Sequence, residues 1–175
     1  IGNWSQVDVL DFSSNLLSEE LPSEIGLLSV LTELNLESNE LTGPLPTAIG
    51  RLTKMRSLLL GENQLDGPIP SELGSLQLLD ALNLEMNRFT SLPSEVGRLI
   101  LLRSFSLFNN DLQGPIPSEI GSLVNALNLD LSGNSLTGMI PSEMGNMFVI
   151  RGTFISSMIA CAKRGMRSHA SFTIF

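Results

Sequence analysis

The 175 residues contain no tyrosine, and only one tryptophan, one histidine and one cysteine. A lone cysteine, Cys161, allows no internal disulfide and no CxxC redox pair. The only histidine, His169, lies near the C-terminal end, so no Ser-His-Asp arrangement can form in the rest of the chain. With so few His and Cys residues there is no metal-ligand cluster at zinc spacing. Fifteen glycines are present, yet none falls in a GxxxxGKS/T or GxGxxG phosphate loop. The chain opens without a basic segment followed by an apolar run, so it shows no signal peptide. Its apolar stretch Phe154 to Ala162 is nine residues long, and a membrane-spanning helix needs about 20. Aromatic residues make up 5% against 42% hydrophobic in all, so the core must be built from Leu and Ile.

Charge narrows the partners. Formal net charge is −8, and it is unevenly spread. Residues 1–150 hold 18 acids and six bases, a net −12, whereas residues 151–175 hold four bases and no acid, a net +4. For a chain so dominated by acid, nucleic acid is not an expected partner, since that affinity comes from Lys and Arg on phosphates.

The chain repeats itself. DGPIPSELGSL (66–76) recurs as QGPIPSEIGSL (113–123). Asparagines Asn15, Asn39, Asn63, Asn87, Asn110 and Asn134 follow one another at steps of 24, 24, 24, 23 and 24. Leu or Phe stands five residues before each, three before, and two after. A proline and then a glycine recur further on, as at Pro46 and Gly50 or Pro70 and Gly74. The short step arises because NRFTSLPSEVG has one residue fewer before its proline than NQLDGPIPSELG.

A fixed period carrying L-x-x-L-x-L-x-x-N-x-L marks a leucine-rich repeat. The extensions LTGPLPTAIG, LDGPIPSELG and LTGMIPSEMG resemble the plant-specific subclass, and the PSEIG wording also resembles repeat families of algae such as diatoms. That subclass occurs in receptor-like kinases, receptor-like proteins and polygalacturonase inhibitors. The fold it implies is an α/β repeat solenoid, a horseshoe with short parallel strands on the concave side and 3-10 or short helical turns and loops on the convex side. Residues 1–150 are expected to form this domain with about six repeats, and 151–175 a degenerate tail. Ile1-Gly2 matches the Ile-Gly that closes a repeat, so the chain is expected to start in mid-repeat, with Trp4 on the Leu28 core column.

Each repeated letter has a physical role. In x-L-x-L-x the two leucines face one side of a strand and the x residues the other. One coil cannot bury its apolar side, whereas a stack buries a continuous column. The asparagines, Asn15 through Asn134, form an expected ladder: each amide both donates and accepts, and so satisfies backbone groups stranded in the turn. Proline is expected to begin a helical turn and glycine to end it. Glu24, Glu72, Glu95, Glu119 and Glu143 fall early in those turns, where negative charge suits the helix dipole.

Catalytic residues, metal and cofactor are all expected to be absent, because paired carboxylates on a smooth sheet make no cleft for general acid–base work. What remains is the concave face. Its eighteen outward positions contain five acids and no base. The candidate ligand-binding residues are Glu33, Asn35, Glu37, Leu59, Asn83, Glu85, Ser106, Phe108 and Asp130, bordered by Arg56 and Arg103. Asp80, between these two arginines in the stack, is expected to pair with both.

The resemblance implies a non-catalytic module that recognises a protein, peptide or glycan, as part of a cell-surface receptor-like protein. Many such proteins carry a transmembrane helix and a kinase domain, neither of which is visible here, so membrane contact would come through a segment outside this chain. The alternative is a secreted or wall-associated structural repeat protein, or an inhibitor of wall-degrading enzymes. The location implied is extracellular or cell-surface.

Overall fold

The computed structural model describes residue 4 and residues 6–147. The alternating leucines form six three-residue strands: Val9–Asp11, Glu33–Asn35, Ser57–Leu59, Ala81–Asn83, Ser104–Ser106 and Asn128–Asp130. These pair in chain order as one parallel sheet. The register sets Leu10, Leu34, Leu58, Leu82, Phe105 and Leu129 side by side. Leu34, Leu58 and Leu82 are at most 1% exposed, so the expected column is buried. Helical segments among the described residues are six five-residue 3-10 helices, from Ser23–Leu27 to Ser142–Asn146. The molecule is a stack of coils, numbered one to six here after the asparagine each contains.

Every coil leaves its strand by the same device. The residue just before the ladder asparagine has positive φ in all six: Ser14, Ser38, Glu62, Met86, Asn109 and Gly133, between 51° and 69°. This left-handed residue turns the asparagine inward. Five of the six are not glycine, and each carries a cost of about 1–2 kcal/mol for a side chain in that region. Glycine loses about 0.5–1 kcal/mol of that advantage through unfolded-state entropy. Met86→Gly is therefore expected to raise the unfolding midpoint modestly, and Gly133→Met to lower it, as read by thermal circular dichroism.

Beyond the asparagine a second set of short strands runs along the coils. Ser18–Glu20, Glu40–Pro44, Gln64–Pro68 and Arg88–Ser91 make one sheet, and Gln113–Pro115 and Ser135–Thr137 another. The register slips between Gly67 and Pro68 as the short coil joins, and the sheet breaks after it. The missing residue of the 23-residue step is absorbed there, as expected: on the concave side Leu82 still pairs with Phe105.

Proline caps each 3-10 helix with an extended φ, as at Pro46 (−67°) and Pro70 (−68°). The recurring glycine does not end the helix. Gly50 lies inside Thr47–Arg51, and the backbone leaves without a positive φ. Its reason is the next coil: a Cβ on Gly26, Gly50 or Gly74 would come within 2.5–2.6 Å of the backbone oxygen of Ala48, Glu72 or Glu95. Glycine lets successive coils approach to backbone contact.

The first coil is open. Trp4 shares an apolar hollow with Leu10, Phe12, Leu17 and Leu28, but remains 42% exposed, in tilted contact with Phe12 at 6.1 Å between ring centroids. It is not the buried core residue expected, because no described coil covers that side. Ile1-Gly2, the end of the repeat domain at residue 150 and the tail 151–175 lie outside the described residues.

Candidate functional site: the concave face and coil three

The ladder asparagines hold the concave strands in place. Asn63 accepts from the Leu41 N–H at 3.0 Å and donates to the carbonyls of Leu36, Leu60 and Gly61. Asn39, Asn87 and Asn110 repeat this set, and the four are 7–9% exposed. Asn134 makes the same bonds while half-buried. Asn15 departs from the expected ladder: it is exposed and donates only within its own turn, to Phe12 and Ser13, because no described coil precedes it.

The ladder has a consequence for the concave surface. The asparagine amide takes the carbonyl of the preceding coil that the N–H two residues before the asparagine would otherwise reach. That N–H needs another acceptor. In five coils it bonds to the side chain two residues earlier: Ser13 to Asp11, Glu37 to Asn35, Glu85 to Asn83, Phe108 to Ser106 and Ser132 to Asp130. Four of these run from 2.9 to 3.1 Å and the Phe108 bond is 3.5 Å. These are Asx- and Ser-type turns. Asn35, Asn83, Ser106 and Asp130, predicted as ligand contacts, thus also cap their own strands.

Coil three has no such cap. Leu59 stands where the others carry Asn, Asp or Ser, and the N–H of Gly61 has no hydrogen-bond partner among the described residues. Gly61 is buried beneath its neighbours. Asn83 and Glu85 lean over it, and a Cβ there would lie 3.1 Å from the Asn83 amide nitrogen. Lacking a side chain at Gly61, coil three lets Asn83 of coil four donate to Glu37 of coil two at 2.6 Å. Ser106 donates to Glu85 at 2.8 Å. Glu37, Asn83, Glu85 and Ser106 therefore form a polar surface around the Gly61 gap. Leu59 is half-buried beside it, and Phe108 is 39% exposed two coils on. Glu33 is half-buried at the start of its strand.

At the entrance to the strands the expected three-charge row is not formed. Asp80 pairs with Arg103 at 3.4 Å, and Arg56 has no ion pair among the described residues. Both partners of the formed pair are more than half exposed, and an exposed pair is worth only about 0–1 kcal/mol, so nothing compels Asp80 to hold a second cation. Arg56 is left with its guanidinium in solvent. At the first coil, hydrogen bonds from the Ser13 N–H, then from its hydroxyl, with help from Asn35, hold the exposed Asp11 carboxyl below its usual range. A depressed carboxyl favours folding above its unfolded pKa, and that contribution is lost as pH falls through the folded value.

Counting only alternate residues misses two features. Met86, in the left-handed position, is 43% exposed, and its backbone N–H donates to the Phe108 carbonyl, so two exposed apolar residues stand on neighbouring coils at the exit of the strands. The uncapped Gly61 N–H has a sequence signal in hindsight: a leucine where five coils carry Asp, Asn or Ser. No group of three His, Cys, Asp or Glu among the described residues could hold a metal ion.

The leucine-rich repeat family model matches residues 6–28, 30–52, 54–76, 101–123 and 125–147. The stretch it skips is the irregular coil with the 23-residue step. No curated protein sequence matches the chain. Among solved structures, it is similar to the ectodomain of the Arabidopsis thaliana plant membrane receptor kinase GASSHO1/SCHENGEN3 in complex with CASPARIAN STRIP INTEGRITY FACTOR 2. Identity is 41% and the TM-score 0.77, over 78% of this chain and 17% of that one. It also resembles the Arabidopsis receptor kinase HAESA in complex with the peptide hormone IDA and the co-receptor SERK1 (32% identity, TM-score 0.80), over 83% of this chain and 25% of that one. The ectodomain of the Arabidopsis thaliana receptor kinase SOBIR1 is nearer in length: 34% identity and TM-score 0.70, over 74% of this chain and 72% of that one. The chain thus spans a quarter or less of the first two relatives. With its family model matched over about two thirds of its length and its coils superposing on these ectodomains, the chain belongs to the leucine-rich repeat family, in its plant-type form.

Proposed function

We propose that this chain is the ligand-recognising part of a receptor-like protein, non-catalytic and acting outside the cell or at its surface, and that it binds an extended peptide along its concave face. The observation that carries the reading is coil three. There a free guanidinium (Arg56), a half-buried leucine (Leu59) and an unfilled backbone donor (Gly61 N–H) follow one another at the entrance, the end and the exit of a single strand. A peptide supplies the matching groups in the matching order: an acidic group or terminus, an apolar side chain and a backbone carbonyl. Glu37, Asn83 and Glu85 then frame the peptide backbone, and Phe108 with Met86 offers a second apolar contact. Similar ectodomains bind peptide hormones, and one of them also a co-receptor, which supports a protein or peptide partner over a glycan or nucleic acid.

The direct test uses Leu59→Asn. This substitution installs in coil three the amide that caps coils two and four, so it fills the Gly61 donor from within. A panel of synthetic peptides, acidic and basic, is passed over immobilised wild type and variant in biolayer interferometry. Peptides retained by the wild type are expected to lose about tenfold in affinity on the variant, one hydrogen bond and one apolar contact being removed. The variant should melt no lower than the wild type. Equal retention by both proteins would remove coil three as the anchor.

A further inference from the structure

The solenoid carries its charge in separate stripes. One side is the return edge, which runs from the last residue of each 3-10 helix to the next concave strand. It holds five of the six bases among the described residues: Arg51, Lys54, Arg56, Arg98 and Arg103, all exposed. With only Asp8 and Asp80 as acids, this edge carries a net +3. The opposite side is the turn edge, where the chain leaves the concave strands. It holds Glu19, Glu20, Glu40, Glu62, Asp66 and Asp111 against the single base Arg88, a net −5, again all exposed. The remaining acids lie on the concave face and on the convex helices.

Apolar surface is segregated in the same way. Leu78, Ile100, Leu101, Val124 and Leu127 are 40–52% exposed and all lie on the return edge of coils four to six. They stand on three successive coils, which backbone and side-chain bonds join along this edge. The Leu127 N–H donates to the Arg103 carbonyl and the Arg103 N–H to that of Asp80, while the Asn125 side chain donates to the Ile100 carbonyl at 2.7 Å. The corresponding positions of coils two and three carry Ser29, Val30, Thr32, Thr53, Lys54 and Arg56. An apolar patch rimmed by cations on an otherwise acidic protein needs an acidic counterpart. The turn edge of the same chain is acidic along its length and offers the exposed apolar side chain of Met86 (43%).

We propose that the return edge docks a second copy of this chain, through that copy's acidic turn edge. The contact is heterologous, so each copy keeps one free edge and further copies can add side by side. A stable dimer buries about 800 Å² per partner. Five part-exposed side chains supply only part of that area, so the association is reversible and leans on charge. It leaves the concave face open and does not depend on what that face binds.

Sedimentation velocity of the full chain at low ionic strength tests this. The weight-average sedimentation coefficient is expected to rise with protein concentration and to return to the monomer value near 1 M salt, where screening shortens to about 3 Å. Leu101→Glu places an acid in the return edge, and Glu40→Lys places a base in the turn edge. Each variant alone is expected to stay monomeric. Mixed in equal amounts they are expected to form dimers and nothing larger, since each retains the edge the other has lost. That rescue also shows that both variants are folded. Leu16→Glu, on an 81% exposed residue of coil one, is expected to associate like the wild type. A wild type that is monomeric at every concentration overturns the proposal. So does a mixture that stays monomeric while both variants melt like the wild type, or an association abolished by Leu16→Glu and untouched by Leu101→Glu, which would place the contact at the open first coil.

Discussion

Asn63→Leu is expected to lower the unfolding free energy by about 1–3 kcal/mol, although it makes the core more hydrophobic. The leucine would fill the space but could not bond the Leu41 N–H or the carbonyls of Leu36, Leu60 and Gly61. The Leu41 N–H is then stranded in a buried turn, at about 1–3 kcal/mol, whereas the Leu36 carbonyl can accept from the Gly61 N–H. The effect should grade along the ladder. Asn134 is half-buried and should cost less, and Asn15→Leu should cost almost nothing, because Asn15 is exposed and bonds only within its own turn. Equilibrium unfolding in urea reads all three. Equal losses at Asn15 and Asn63 would mean that the bonds between coils do not carry the stability assigned to them.

Gly74→Ala is the second large effect. The added methyl would lie 2.5 Å from the backbone oxygen of Glu95 and 2.8 Å from its Cβ, and neither can swing away as a flexible side-chain end could. Forcing the coils apart costs about 1–3 kcal/mol, a loss of several degrees in midpoint for a domain of this size. Gly145 provides the control. It ends Pro-Ser-Glu-Met-Gly where Gly74 ends Pro-Ser-Glu-Leu-Gly, but a Cβ there meets nothing within 4 Å among the described residues. Gly145→Ala should leave the melt unchanged or raise it slightly, since the alanine reduces unfolded-state freedom. If both substitutions shift the melt alike, the glycine is kept for local conformation and not for contact between coils.

The two glycines show where sequence reading succeeds and where it stops. Six copies of one pattern made the strands, the leucine column and the inner ladder legible, because a 24-residue step puts equivalent residues in contact by translation. Repetition also placed the fault: one residue missing before Pro93 became a slipped register and a broken outer sheet, with the concave strands undisturbed. The reason for the glycine was not legible. A recurring glycine after a helical turn reads as a C-terminal cap, and only the stacking distance shows that it admits a neighbouring backbone. Asn35, Asn83 and Asp130 likewise read as ligand contacts alone, whereas their oxygens also close the strands behind them. The exception at Leu59 gained meaning only once that rule was visible. Arg56, Asp80 and Arg103 could be aligned from spacing, but which arginine the carboxylate holds is decided by side-chain geometry worth less than a kilocalorie, and spacing does not carry it.

Recognition through coil three is tested most directly at one backbone atom. Two-dimensional NMR of the labelled chain is recorded free and bound to a peptide retained in the interferometry panel, with amide exchange followed in both states. In the free protein the Gly61 amide should exchange faster than those of Glu37 and Glu85, which are capped by Asn35 and Asn83. In the complex it should shift strongly and become protected, while the amides of the convex helices Thr47–Arg51 and Ser71–Ser75 stay unchanged. A Gly61 amide that keeps its shift and its exchange rate in the presence of saturating peptide would contradict recognition at coil three.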